Sequence, residues 1–138
     1  MTDLHIAPTY NLTKTRYVTP LVVGSLAKRR MVIKCCDAVN ENAAEFEDAV
    51  CGWIECFFAI GHDDLTVTVK VYYSNTTMSK ALLTIVALLE RWYTAGKRVT
   101  LNWWYDVEDY DDSIARELHD DIRCSELTLP IHFLAYNR

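Results

Sequence analysis

The chain has 138 residues, 51% hydrophobic and 24% charged, which is enough apolar material for one compact domain with a substantial core. A formal net charge of -5 argues against nucleic acid or an anionic membrane as partner, since both need a basic face. The opening MTDLHIAPTY has neither a basic n-region nor an apolar h-region, and no apolar run nears the roughly 20 residues that span a bilayer, so a cytoplasmic location is expected.

Residues Leu4 to Pro20 are polar and threonine-rich, and are expected to lead into one short strand near Tyr17 to Val23, interrupted by Pro20. GSLAKRR turns the chain and RMVIKCC, β-branched and apolar, reads as a strand. Glu41 to Ile60 follows as a helix. Phe46, Val50, Trp53, Ile54 and Phe57 recur on one face, and Glu41, Glu45, Asp48 and Glu55 lie opposite. Asn40 or Asn42 can cap its start and Gly61 closes it.

LTVTVKVYY alternates as a strand, with Leu65, Val67, Val69, Val71 and Tyr73 on one side. A second helix is expected from about Thr76 to Ala95, closed by Gly96. Its core stripe is Met78, Ala81, Leu82, Ile85, Leu89 and Trp92, which leaves Leu83 exposed near Lys80, Ala87 and Glu90. KRVTLNWWY is another strand, with alternate rings of Trp103, Trp104 and Tyr105 facing opposite ways. DVEDYDD is an acidic loop in which Asp111 or Asp112 can cap a short helix carrying Ile114, Ala115, Leu118 and Ile122. LTLPIHFLAY is the last strand, and Pro130 favours an edge position. The order β-β-α-β-α-β-α-β implies a single α/β domain with a mostly parallel central sheet and helices packed on it.

In such sheets, sites form beyond the carboxyl ends of the strands. The first candidate is the run Ser74-Asn75-Thr76-Thr77, where a strand feeds a helix. Capping needs one of these side chains, Asn75 or Thr76, for a bond worth about 1 kcal/mol. The same junction favours an anion, so a phosphate on Thr76 or Thr77 is well placed to act as a switch. Leu83 beside it is a candidate docking anchor.

The second candidate is the acidic loop, in which Asp106, Glu108 and Asp109 offer hard oxygens for magnesium. It supports an alternative reading of the chain as a ligand- or magnesium-binding α/β domain using residues 106–112. Other chemistry finds little support. The five cysteines are an odd number with no CxxC spacing, which points to reduced thiols, with Cys35, Cys36, Cys51 and Cys56 in the core. His5, His62, His119 and His132 are scattered. Thr77 and Lys80 are spaced as in SxxK, but no second motif accompanies them and no enzyme activity is expected.

The segment VYYSNTTMSKALLTIVALLERWYTAGKRVTLNWWYDVEDYDDSIARELHDDI resembles the SiaC family of bacterial regulatory phosphoproteins, and NENAAEFEDAVCGWIECFF resembles that family's first helix. The likeness spans about residues 17–135, with motifs in order and at matching spacing; it implies a regulatory domain over 17–138 behind an N-terminal segment of 1–16. Two positions depart: Asn40 stands where the family often has proline, and Thr77 where it usually has serine. The resemblance implies an architecture similar to anti-sigma factor antagonists, no cofactor, and phosphorylation at Thr76, with Thr77 as second choice. It implies a partner surface of Asn75, Thr76, Thr77, Ser79, Lys80 and Leu83. It further implies a partner-switching circuit with a SiaB-like kinase, a SiaA-like PPM-type phosphatase and a GGDEF diguanylate cyclase. The unphosphorylated form would activate that cyclase, raise cyclic di-GMP and favour biofilm formation or aggregation.

Overall fold

The computed structural model describes residues 1–12, 16–18, 20–35, 43–72, 74–106 and 114–136. A six-stranded sheet has the order β1-β4-β5-β6-β7-β8, built from Leu4–Ile6, Leu21–Ser25, Arg30–Cys35, Asp64–Val71, Arg98–Asp106 and Ile131–Tyr136. β2 (Thr9–Asn11) and β3 (Arg16–Val18) form a separate two-stranded sheet. The helices are α1 (Ala43–Ala59), α2 (Thr76–Thr94) and α3 (Ile114–Cys124). β5, β6, β7 and β8 run parallel, while β1 and β4 add antiparallel pairs at one side. The α/β class with a mostly parallel sheet is therefore as the sequence implied.

The amino-terminal part differs from expectation. β1 and β2 lie within the polar lead-in, and the single strand sought at Tyr17 to Val23 is two strands in two different sheets. Pro20, between them, has no N–H for a ladder, so the pairing breaks there. β1 is fastened by more than its ladder. The Trp53 indole donates to the Thr2 carbonyl at 3.0 Å, and the Leu26 amide donates to the Asp3 carboxylate at 2.8 Å.

Each parallel strand pairs with its successor in the chain, and each crossover carries one helix. Right-handed crossovers in an unreversed strand order place every helix on the same side of the sheet. Burial agrees. Met31, Ile33, Cys35, Leu65, Val67, Val69, Val71, Val99, Leu101 and Trp103 are buried and join the helices in one core cluster. Their alternates Val32, Lys34, Thr66, Thr68, Lys70, Thr100, Asn102 and Trp104 are only half-buried. Parallel sheets are usually covered on both faces. Among the described residues this one is covered by helices on one face only, and its other face is lined by threonines, lysines and an indole.

α1 buries Ala43, Phe46, Val50, Trp53, Ile54, Phe57 and Phe58, while Glu45 and Asp48 are exposed. Glu41, Asn40 and Asn42 lie outside the described residues. α2 buries more than the expected stripe. Val86 and Leu88 are buried alongside Met78, Ala81, Leu82, Ile85 and Leu89, and Trp92 is half-buried. The width follows from its central place, since α2 touches α1, α3 and β7 together. Leu83, expected to be exposed, is half-buried and packs against the core for the same reason. Gly61 and Gly96 follow α1 and α2 at φ +114° and +103°, where a side chain would be strained.

α3 buries Leu118, His119 and Ile122. His119 sits edge-on to Tyr105 at 4.4 Å between ring centroids and 4.9 Å from Phe133. Burial holds its imidazole below the ordinary histidine range, against the opposing pull of Asp120. The Glu90 carboxylate on α2 receives the Thr128 amide at 2.8 Å, the Thr128 hydroxyl, and the Leu129 amide at 2.9 Å, clamping the turn before β8. Pro130 sits directly before β8, which is an edge strand as its proline suggested. The expected core thiols are only partly so. Cys35 is buried and Cys51 half-buried, but Cys56 is exposed, and Cys36 lies outside the described residues; Cys124, for which no core position was expected, is exposed too. Among the described residues no helix is long and apolar enough to cross a membrane.

Candidate functional site

The carboxyl end of β6 runs into α2 through Ser74 and Asn75, and each hydroxyl and amide of the junction has a distinct task. Asn75 is the N-cap, in extended conformation at φ -122° and ψ 175°, and its side-chain oxygen accepts the Met78 amide at 2.8 Å. Its carbonyl accepts the Ser79 amide at 2.9 Å. Ser74 is buried, and its hydroxyl reaches the Asn75 carbonyl at 3.2 Å and the Ser79 hydroxyl at 2.8 Å. Ser74 has one proton to give. When it goes to the Asn75 carbonyl, Ser79 is the donor of the hydroxyl pair. Met78 is fully buried just beyond the cap and seats the first turn on the core.

Capping and packing therefore occupy Ser74, Asn75 and Ser79. Thr76 and Thr77, the first two helical residues, are exposed. From Thr77 an exposed line runs up α2 through Lys80, Thr84, Ala87 and Arg91, at helical spacing. Of the six residues expected to meet a partner, Thr76, Thr77 and Lys80 are open to solvent. Asn75, Ser79 and Leu83 are half-buried. The positive end of the α2 dipole and its free first-turn amides face the same solvent as the two threonines.

The acidic loop gives less. Asp106 ends β7, while Glu108, Asp109, Asp111 and Asp112 lie outside the described residues. Among the described residues no group of three or more histidine, cysteine or acidic side chains is placed to hold a metal. Tyr73 also lies outside them.

Sequence reasoning passed over the buried role of Ser74 and the open side of the sheet. Polar residues alternating with buried valines in Leu65–Val71 carried the second signal.

The chain is thus a small α/β domain that presents a solvent-facing threonine pair at one strand–helix junction. A sequence model of the SiaC family regulatory phosphoproteins matches residues 12–136, and the chain belongs to that family. Its fold is similar to SiaC of Pseudomonas aeruginosa, with a TM-score of 0.76 and 30% identity over 99% of this chain and 100% of that one. It is equally similar to the SiaC chain in the crystal structure of the diguanylate cyclase SiaD with its activator SiaC, from the same organism. There the TM-score is 0.77 at 30% identity, covering 97% and 100% of the two chains. An uncharacterized protein of P. aeruginosa strain UCBPP-PA14 is 34% identical over 106 residues, 77% of this chain and 78% of its own length.

Proposed function

We propose that this chain is a non-enzymatic cytoplasmic regulator whose phosphorylation at Thr76 selects its partner. The unphosphorylated form binds and activates a diguanylate cyclase, raising cyclic di-GMP and favouring biofilm formation or aggregation. A SiaB-like kinase adds the phosphate and a SiaA-like PPM-type phosphatase removes it. The carrying observation is the division of labour at the junction: Asn75 caps α2, so the exposed Thr76 hydroxyl is not used by the fold. Similarity to the SiaC chain bound to SiaD supports the cyclase as partner.

The switch is electrostatic. A phosphate adds about 1.5 to 2 negative charges at a helix N-terminus, where the dipole tolerates it. The fold is kept, and the cost falls on a partner that must desolvate the phosphate or meet like charge. Thr77, also exposed, is the second-choice acceptor. The partner surface is read as Thr76, Thr77 and Lys80 at its exposed centre, with Asn75, Ser79 and Leu83 supporting it from below. The test is titration of the cognate cyclase with unmodified and phosphorylated protein, with thermal melts of both. Tighter binding by the unmodified form at similar melting temperatures is expected. Equal cyclase affinity for the two forms would end the switch reading.

A further inference from the structure

The open side of the sheet carries a line of five side chains, one per strand. Leu21 pairs with Lys34, Lys34 with Lys70, Lys70 with Trp104, and Trp104 with Leu134. All five are half-buried. Four strand spacings make the line about 19 Å long. Two lysines stand side by side at its centre, on adjacent strands, where like charges repel. Lys70 also lies over the Trp104 ring, 5.9 Å from its centroid. No carboxylate pairs with either ammonium among the described residues.

The charge of this side runs against that of the chain. Arg30, Lys34, Lys70 and Arg98 share it with Asp64 and, by strand alternation, Asp106, in a protein of net charge -5. The neighbouring positions of the same face use threonine, valine and asparagine, so the side-by-side lysines concentrate positive charge at the centre of the line.

We propose that this line is a second docking surface, which seats a carboxylate-bearing segment of the cyclase partner. The inference rests on the cyclase reading given above. The extent favours a protein segment over a small molecule, since small ligands take compact concave sites and this line runs across five strands. The pattern asks for acidic side chains at the centre of the segment and apolar ones at its ends, over Leu21 and Leu134. Lys34 and Lys70 are each one residue short of the carboxyl ends of β5 and β6, and Ser74–Thr77 begins three residues after β6 ends. A phosphate on Thr76 therefore enters at the rim where an acidic segment would lie, and repels it through the field. The surface and the switch then act by one sign of charge.

The experiment titrates the cognate cyclase with wild-type protein, with Lys34→Glu/Lys70→Glu, and with Lys34→Gln/Lys70→Gln. The glutamine pair removes the mutual repulsion together with the Lys70–Trp104 contact, two opposed effects, and should melt close to wild type, so it keeps the test open if the glutamate pair folds poorly. Expected are a loss of about tenfold or more in affinity for each pair, larger for glutamate, and weaker wild-type binding at high salt. The phosphorylation penalty should shrink in the glutamine pair. No cyclase binding by wild type defeats the proposed function and this inference with it. Wild-type binding that both pairs reproduce defeats this inference alone. A thermal shift with inorganic pyrophosphate that is lost in the glutamine pair, at unchanged cyclase affinity, assigns the line to a small anion instead.

Discussion

The Ser74 and Ser79 hydroxyl oxygens lie 2.8 Å apart, tying the end of β6 to the first turns of α2 beneath the Asn75 cap. This pair fixes where α2 starts and which hydroxyls remain free. Asn75→Ala should therefore cost about 1 kcal/mol, as loss of a cap does. Thr76→Ala should cost only a few tenths, because Thr76 is not the cap. Urea denaturation of both variants measures this; equal losses would mean that Thr76 shares the capping role.

Phosphorylation has an expected address. Incubation with the cognate kinase should add one phosphate, at Thr76, and Thr76→Ala should accept none while still binding the cyclase. Thr76→Asp should bind the cyclase more weakly, though less so than the phosphoprotein, having one charge and fewer acceptor oxygens. Fragment mass spectra locate the phosphate. Modification confined to Ser79, whose hydroxyl is engaged with Ser74, would refute the assignment.

The breadth of α2 burial ranks two neighbouring substitutions. Ile85 is 1% exposed, so Ile85→Ala should cost about 2–5 kcal/mol. Leu83 is half-buried against the core, so Leu83→Ala should cost less than Ile85→Ala but more than a surface change. Denaturation midpoints give the order, and a larger loss for Leu83→Ala would overturn it.

The Glu90 clamp predicts a pH dependence. Its partial burial pushes the carboxyl up, but the hydrogen bonds from Thr128 and Leu129 together outweigh this and hold it below the ordinary 4.5. The depressed folded value means that the ionised form stabilises the native state. That contribution is present above pH 4.5 and fades as pH falls through the lower folded value. Glu90→Gln should therefore be less stable than wild type at pH 7, and the gap should narrow on acidification. Melts from pH 7 to about pH 3 check the sign.

Thiol reactivity should follow position on the helices. Cys56 and Cys124 are exposed. Burial, and after it the charges of Glu47, Asp48 and Glu55, push the Cys51 thiol up to about 11. Iodoacetamide at pH 8 should modify Cys56 and Cys124 well before Cys51 and buried Cys35. Peptide mapping over time would show the reverse order if the thiolate argument fails.

The helices and the parallel strands were legible because their periods are unmistakable. Phe46 to Phe57 repeats at helical spacing, and Leu65 to Val71 alternates. β1 and β2 were hidden, because three-residue strands hold too few side chains to show a period. Leu83 was misplaced because a single-face helical wheel allows for one neighbour, whereas α2 has a helix on each flank. The junction could be located from its row of polar residues, but Ser74, Asn75 and Thr76 could not be told apart by residue type. Their roles are decided by direction, which only the backbone supplies. The basic line on the open side is a matter of register, and Lys34 and Lys70 are 36 positions apart in the chain.

The unreversed strand order has a consequence for how the molecule is made. From β4 onward, each strand of the main sheet pairs with the one synthesised just before it. No strand must be inserted between two that already pair, so the sheet can grow at one edge as the chain leaves the ribosome. β5 joins β4 through a tight turn, and each later step closes only the loop around one crossover helix, which keeps the entropic cost of these additions small. A nascent chain that has reached Asp106 already contains β1 and β4 to β7 with α1 and α2, the larger part of the buried core. Only α3 and the edge strand β8 remain to be laid on, and Glu90 is already in place to receive the turn that precedes β8.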